Sequence, residues 1–252
     1  MELELIKIAV LIITGLFAGA INVLAGGGSN LTVPALIIMG MPAEVANATN
    51  RVGVFMQCLV GVIGFKKHDK MASDDTLPIL IPTIIGGFIG AMTASFAPTW
   101  IIKPLLLGTM LTMSFIILIA PATVIPNEGE KAFKVAEKPL GWWGLLLAGI
   151  YGGFVQAGVG FVLIAALAGI LRYDIVRTQG LKLLCSLIFT LVALIIFIAR
   201  SQIDWIPALI LMLGYIVGAH YAVKFAIKAK KDTLKWFLFI MTLVGSTAAM
   251  FF

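Results

Sequence analysis

The chain has 252 residues, 61% of them hydrophobic and only 12% charged, with a formal net charge of +6. A soluble domain of this length carries about twice that share of charge. Together with a mean hydropathy of +1.08, this sets aside a water-soluble globular fold and points to a polytopic helical membrane protein. No ten-residue alternation of the β-barrel kind is present. The basic balance implies no nucleic-acid partner, because excess Lys and Arg in a membrane protein marks cytoplasmic loops.

The N-terminal stretch MELELIKIAV carries two glutamates and lacks both a basic start and a small-residue cleavage site. It does not read as a cleaved signal peptide. The stretch GLFAGAIN (15–22) leads into AGGGSNLTVP (25–34). Each of three consecutive glycines costs a helix about 1 kcal/mol relative to Ala, so a break is expected inside apolar surroundings. Irregular backbone at membrane depth is tolerated only against protein or a water-filled cavity. Gly26, Gly27 and Gly28 are expected to offer unpaired N–H groups. Ser29 or Asn30 would start a returning half-helix, whose N-terminus suits an anion. The competing reading, glycines that only let helices pack, suffices for Gly86, Gly87, Gly90, Ala94, Gly214 and Gly218.

A crossing over about 43–65 follows and carries Arg51 roughly 12–14 Å from its start at 1.5 Å per residue. A basic residue at that depth costs at least about 2.5–3.5 kcal/mol and normally faces a polar pathway, unless it snorkels to an interface. Crossings over about 76–96 and 100–120 complete the first half. The stretch 121–139, PATVIPNEGEKAFKVAEKP, is charged and Pro-containing and reads as a linker.

The second half repeats the order of features. GIYGGFVQ (149–156) lies against GLFAGAIN, AGVGFVLIAAL (157–167) against AGGGSNLTVPAL, and RTQGLK (177–182) against ANATNR (46–51). Lys182 then matches Arg51, and Gln156 matches Asn22. The second tip is expected at Gly158 to Gly160. Thr49, Asn50, Thr178 and Gln179 are weaker members of the same polar set. Cys58 and Cys185 sit in apolar stretches and read as small packing residues.

Charge tests the topology. If each half crosses four times, eight basic residues fall on each side. If each glycine break is a hairpin tip, Lys66, Lys67, Lys70, Lys131, Lys134, Lys138, Arg172, Arg177, Lys224, Lys228, Lys230, Lys231 and Lys235 share one face. Lys7, Lys103 and Arg200 take the other. Thirteen against three satisfies the positive-inside rule. It puts both termini outside and inverts the halves relative to each other, as in many secondary transporters. The expected fold is all-α, with two inverted repeats (1–120 and 139–252) joined by a cytoplasmic linker (121–138). Each repeat is a broken or re-entrant hairpin plus three transmembrane helices.

The candidate site is Asn22, Gly26, Gly27, Gly28, Ser29, Asn50, Arg51, Gln156, Gly158, Gly160 and Lys182, ringed around one small anion. No cofactor, metal or catalytic residue is expected. The two histidines, His68 and His220, are far apart, and no HExxH, GxSxG or P-loop motif is present. An anion channel or a carboxylate permease is the alternative. A proton is the coupling ion considered. His220 is read as a packing or interfacial residue before a proton carrier. Monomer and homodimer both remain open.

The stretch AGAINVLAGGGSNLTVPALIIMGMPAEVANATNR resembles the first-repeat signature of the sulfite exporter TauE/SafE family, also called TSUP permeases. GIYGGFVQAGVGFVLIAAL resembles the second, and the likeness covers nearly the whole chain. It implies a permease of the cytoplasmic (inner) membrane for small sulfur-containing or carboxylate anions. By motif position it implies roles for Gly26–Gly28, Asn50, Arg51, Gln156, Gly158 and Gly160. AGVGF lacks a full glycine triplet, so the second tip would contribute less.

Overall fold

The computed structural model describes residues 2–68, 71, 75–98, 100, 101, 104, 108 and 132–228. Among them the regular structure is helical throughout, with no strand. The helices are α1 (Glu2–Leu24), α2 (Ser29–Ile38), α3 (Ala43–Lys67), α4 (Thr76–Phe96), α5 (Pro139–Phe154), α6 (Val159–Ile164), α7 (Ile175–Ala199) and α8 (Trp205–Lys228). Helix α6 runs directly into a π-helical turn at Ala165–Ile170. Five helices are long and apolar enough to cross a membrane: 5–24, 43–67, 76–96, 175–199 and 205–228. The all-α polytopic class is therefore as expected. The expected last crossing of the first half (100–120) lies almost wholly outside the described residues, and the apolar run 236–252, which would be the last crossing of the second half, lies outside them entirely.

Local chemistry places the helix ends. Pro42 precedes α3, whose first turn carries Glu44, favourable at the positive end of a helix dipole. Asp174 caps α7 by accepting the Val176 and Arg177 N–H groups at 3.1 Å each. Pro139 opens α5, where its missing N–H costs nothing.

Small residues set the helix contacts. Gly15 and Gly19 of α1 lie on the backbone of α8 near Leu211 and Tyr215, and Gly214 and Gly218 lie on the backbone of α1. Gly86 and Gly90 of α4 lie equally close to α5, which presents Gly149 and Gly153 in return. None of these positions has room for a Cβ. Gly87 meets Phe189 of α7, and Ala94 is buried with Ala48, Ala91, Ala193 and Phe197. The packing role expected for these residues holds. Cys58 and Cys185 are buried and unpaired, also as expected.

The contacts recur when α1–α4 are exchanged with α5–α8. Helix α1 packs on α8, and α5 packs on α4; α3 packs on α8, and α7 packs on α4; α3 and α7 pack on each other. The described end of the linker segment is tied down. Val135 N–H donates to Asp75 Oδ2 at 2.9 Å, and Phe133 N–H donates to the Leu171 carbonyl at 2.8 Å. Asp75, a buried carboxylate at the start of α4, is thus a linker anchor that composition alone did not single out.

Candidate functional site

Two breaks in the helices meet inside the protein. The first spans 25–28, between α1 and α2. Gly26 has φ +99°, which glycine alone adopts without strain. Asn22 Oδ1 accepts the Gly28 N–H at 2.9 Å and so closes the break from the α1 side. Gly28 packs on Ala18, which turns α2 back along α1. The second break spans 155–158, between α5 and α6. Its left-handed residues are Gln156 (φ +65°) and Gly158 (φ +77°). The tips touch: Gly160 N–H donates to the Gly26 carbonyl at 3.3 Å, and neither glycine has room for a Cβ against the other.

Each break buries the C-terminal end of a helix, whose last carbonyls lack intrahelical partners and carry a partial negative charge. A cation from the opposite half answers each one. Arg51 of α3, fully buried, donates to the end of α5. Nη1 reaches the Gly152 carbonyl at 2.6 Å, and Nη2 reaches those of Gly153 and Phe154 at 2.7 and 3.2 Å. Asn47, one turn earlier, adds a bond to the Phe154 carbonyl at 2.9 Å. Lys182 of α7, also buried, donates to the end of α1, at the Asn22 and Val23 carbonyls (3.1 and 2.9 Å). Gln179, one turn earlier, adds a bond to the Leu24 carbonyl at 2.7 Å. An amide and a cation on one helix face thus cap the broken helix of the other half, twice.

A polar network backs the first tip. Asn50 Nδ2 donates to Ser29 Oγ at 3.0 Å, and Asn50 Oδ1 accepts from Thr32 Oγ1 (2.7 Å) and Tyr215 Oη (2.9 Å). Between the tips lies a cavity of about 10 Å³, roughly the room one water needs. Gly26 and Gly160 form part of its wall, with Gln57, Gln156, Lys182 and Ser186.

These positions sort the expected site residues. Asn22, Gly26, Gln156, Gly160 and Lys182 line the cavity. Ser29 and Asn50 belong to the supporting network, and Gly158 supplies the left-handed turn. Three expectations need correction. The Gly26 and Gly28 N–H groups are not free, because Ile21 O and Asn22 Oδ1 hold them. Gly27 faces the Phe161 ring and does not line the cavity. Arg51 does not line it either, since its Nη groups are committed to α5 carbonyls that the buried break would otherwise leave bare. Snorkelling is likewise overturned, for Arg51 and Lys182 alike, by complete burial on backbone acceptors.

Sequence reasoning missed Gln57 and Ser186 on the wall, and Thr190, whose Oγ1 accepts from Gln156 Nε2 at 2.9 Å. Their signal was helical spacing: Gln57 follows Asn50 by seven residues, and Lys182, Ser186 and Thr190 recur every four, one polar stripe on an apolar helix.

A family model described as "Sulfite exporter TauE/SafE" matches residues 11–249. The chain belongs to this family. It is 24% identical over 245 residues to a "Probable membrane transporter protein" of Haemophilus influenzae, covering 96% of this chain and 94% of that protein. The "Probable membrane transporter protein YfcA" of Escherichia coli K12 is 20% identical, with 97% and 90% covered. The "Probable membrane transporter protein ORF9" of Sinorhizobium sp is 21% identical, with 94% and 89% covered. As a TauE/SafE member with five apolar helices of crossing length, the chain is a membrane transporter.

Proposed function

We propose that the chain is a secondary transporter of the cytoplasmic membrane that carries a small organic or inorganic anion by alternating access around the cavity between the tips. The observation that carries this reading is Lys182, a fully buried cation on the cavity wall. Its hydrogen-bond partners among the described residues are two carbonyls rather than a carboxylate. An ammonium has three N–H donors, so one is left for a ligand oxygen beside Gly26 and Gly160. A buried cation held only by neutral acceptors is, in a transporter, a natural seat for a negative solute.

The family's description, a sulfite exporter, favours sulfite as cargo, and related small sulfur anions such as thiosulfate or a sulfonate are its nearest chemical alternatives. The cavity, with room for about one water, favours a transporter over a channel, which needs a continuous pore. The exchange pattern of contacts supports two repeats related by a pseudo-twofold axis, and the distribution of basic residues supports their inversion, with both termini outside. The test is a thermal-shift screen of the purified protein against sulfite, sulfate, thiosulfate, sulfoacetate, taurine and short carboxylates. A concentration-dependent rise in midpoint with at least one anion is expected, and a flat response to all of them overturns the reading.

A further inference from the structure

We propose that the cavity selects an anion that also carries a hydrogen-bond donor, and that Gln57 and Gln156 do the selecting. The inference rests on the transport reading above and adds the chemistry of the cargo. The two amides come from opposite halves, one from α3 and one from the second break, and both are buried (1% and 3% exposed) on the cavity wall. Each has its side-chain oxygen without a partner among the described residues. Their nitrogens are turned toward protein. Gln156 Nε2 donates to Thr190 Oγ1 at 2.9 Å, and Gln57 Nε2 lies 3.5 Å from Cys58 Sγ.

The wall therefore carries one cationic donor and two amides whose buried oxygens have no partner among the described residues. Lys182 meets the negative oxygen. The Oε1 atoms of Gln57 and Gln156 are left for an N–H or O–H on the same solute. Leaving a buried acceptor unmade is unfavourable, and a site built to bond a hydroxyl rejects the analogue that lacks it far more strongly than an apolar pocket does. An anion made only of acceptor oxygens would set them against two carbonyl dipoles. The class of ligand is thus a sulfonate or carboxylate bearing a hydroxyl or amino group, or an acid anion that keeps a proton. The cavity admits one water-sized group, so the tips must part to admit the whole ion.

The test uses pairs of anions that differ by a hydroxyl in place of a methyl: hydroxyethanesulfonate against propanesulfonate, and glycolate against propionate. Affinities for the purified protein are measured by calorimetry. In each pair that binds, the hydroxyl member is expected to bind at least about tenfold tighter. Gln57→Leu and Gln156→Leu should each reduce that ratio, and the double variant should bring it to about one. Equal affinity, or preference for the methyl member, in the unaltered protein overturns the inference while leaving the transport reading intact. A ratio that survives both substitutions also overturns it. If neither member of either pair binds, the inference falls, and the screen of sulfur anions decides whether the transport reading falls with it.

Discussion

The two helix breaks face the same physical demand and meet it with different chemistry. At the first, three glycines and the Asn22 side chain form the turn, and a ten-residue α2 returns from it. At the second, Gln156 and Gly158 turn the chain with a six-residue α6 that relaxes into a π-turn. The cations differ in the same way. Arg51 spreads a planar guanidinium over three carbonyls and stands off the cavity. Lys182 holds two carbonyls and keeps a place on the cavity wall. Arg suits a fixed fork of acceptors, whereas Lys is a compact charge with freely placed donors. Buried cations at matched positions thus bond their surroundings in unlike ways. Arg51 is spent on the backbone of the other half, and on the proposed reading Lys182 keeps a donor for the ligand.

Substitutions can break that comparison. The largest effect is expected for Arg51→Ala, which strands the Gly152 and Gly153 carbonyls, leaves that of Phe154 to Asn47 alone and empties a fully buried site, and should destabilise the protein by at least about 3 kcal/mol. The readout is the yield of folded protein and its thermal midpoint. An unchanged midpoint would mean that the guanidinium does not hold the end of α5. Gly26→Ala comes next. It forces a side chain onto a left-handed backbone and into Gly160, for about 3 kcal/mol of strain and overpacking. It should part the tips and abolish flux in proteoliposomes, and normal flux would show that their contact is dispensable. Gly27→Ala tests the same triplet at its tolerant member. Its new Cβ would meet the Phe161 ring at 3.0 Å and the Asn30 amide at 3.7 Å, both side chains, and the expected loss is under about 1 kcal/mol with flux retained. A loss of flux at Gly27 as severe as that at Gly26 would place the ligand on the wrong glycine. Smallest is Gly40→Ala: φ is +94° with open space around the Cβ, so only backbone strain of about 1 kcal/mol is expected, without loss of transport.

Much of this was legible in the sequence. The crossing at 76–96 and the start of α3 at Ala43 follow from apolar runs of bilayer length bounded by Pro and charge. The breaks follow from glycine where a helix resists it, and the matched positions of Arg51 and Lys182 pointed to a shared region. What each cation bonds was not legible, because the acceptors are backbone carbonyls of the other half, more than 100 residues away, and every residue has a carbonyl. The glycine donors were misjudged for the same reason. Ile21 O and Asn22 Oδ1 consume two of them, and only the folded turn brings those acceptors close. The π-turn at 165–170 left no mark in the run AALAGI that a buried helix would not also leave.

The most direct measurement is the anion affinity of Lys182→Met, determined by calorimetry with an anion that stabilises the unaltered protein. Methionine keeps the length and apolar stem and removes the charge. At least a tenfold weakening is expected, in protein that still folds because methionine fills the space of the lysine stem. Unchanged affinity in folded Lys182→Met protein would contradict the account, because the negative solute would then be held by something other than the cation between the tips.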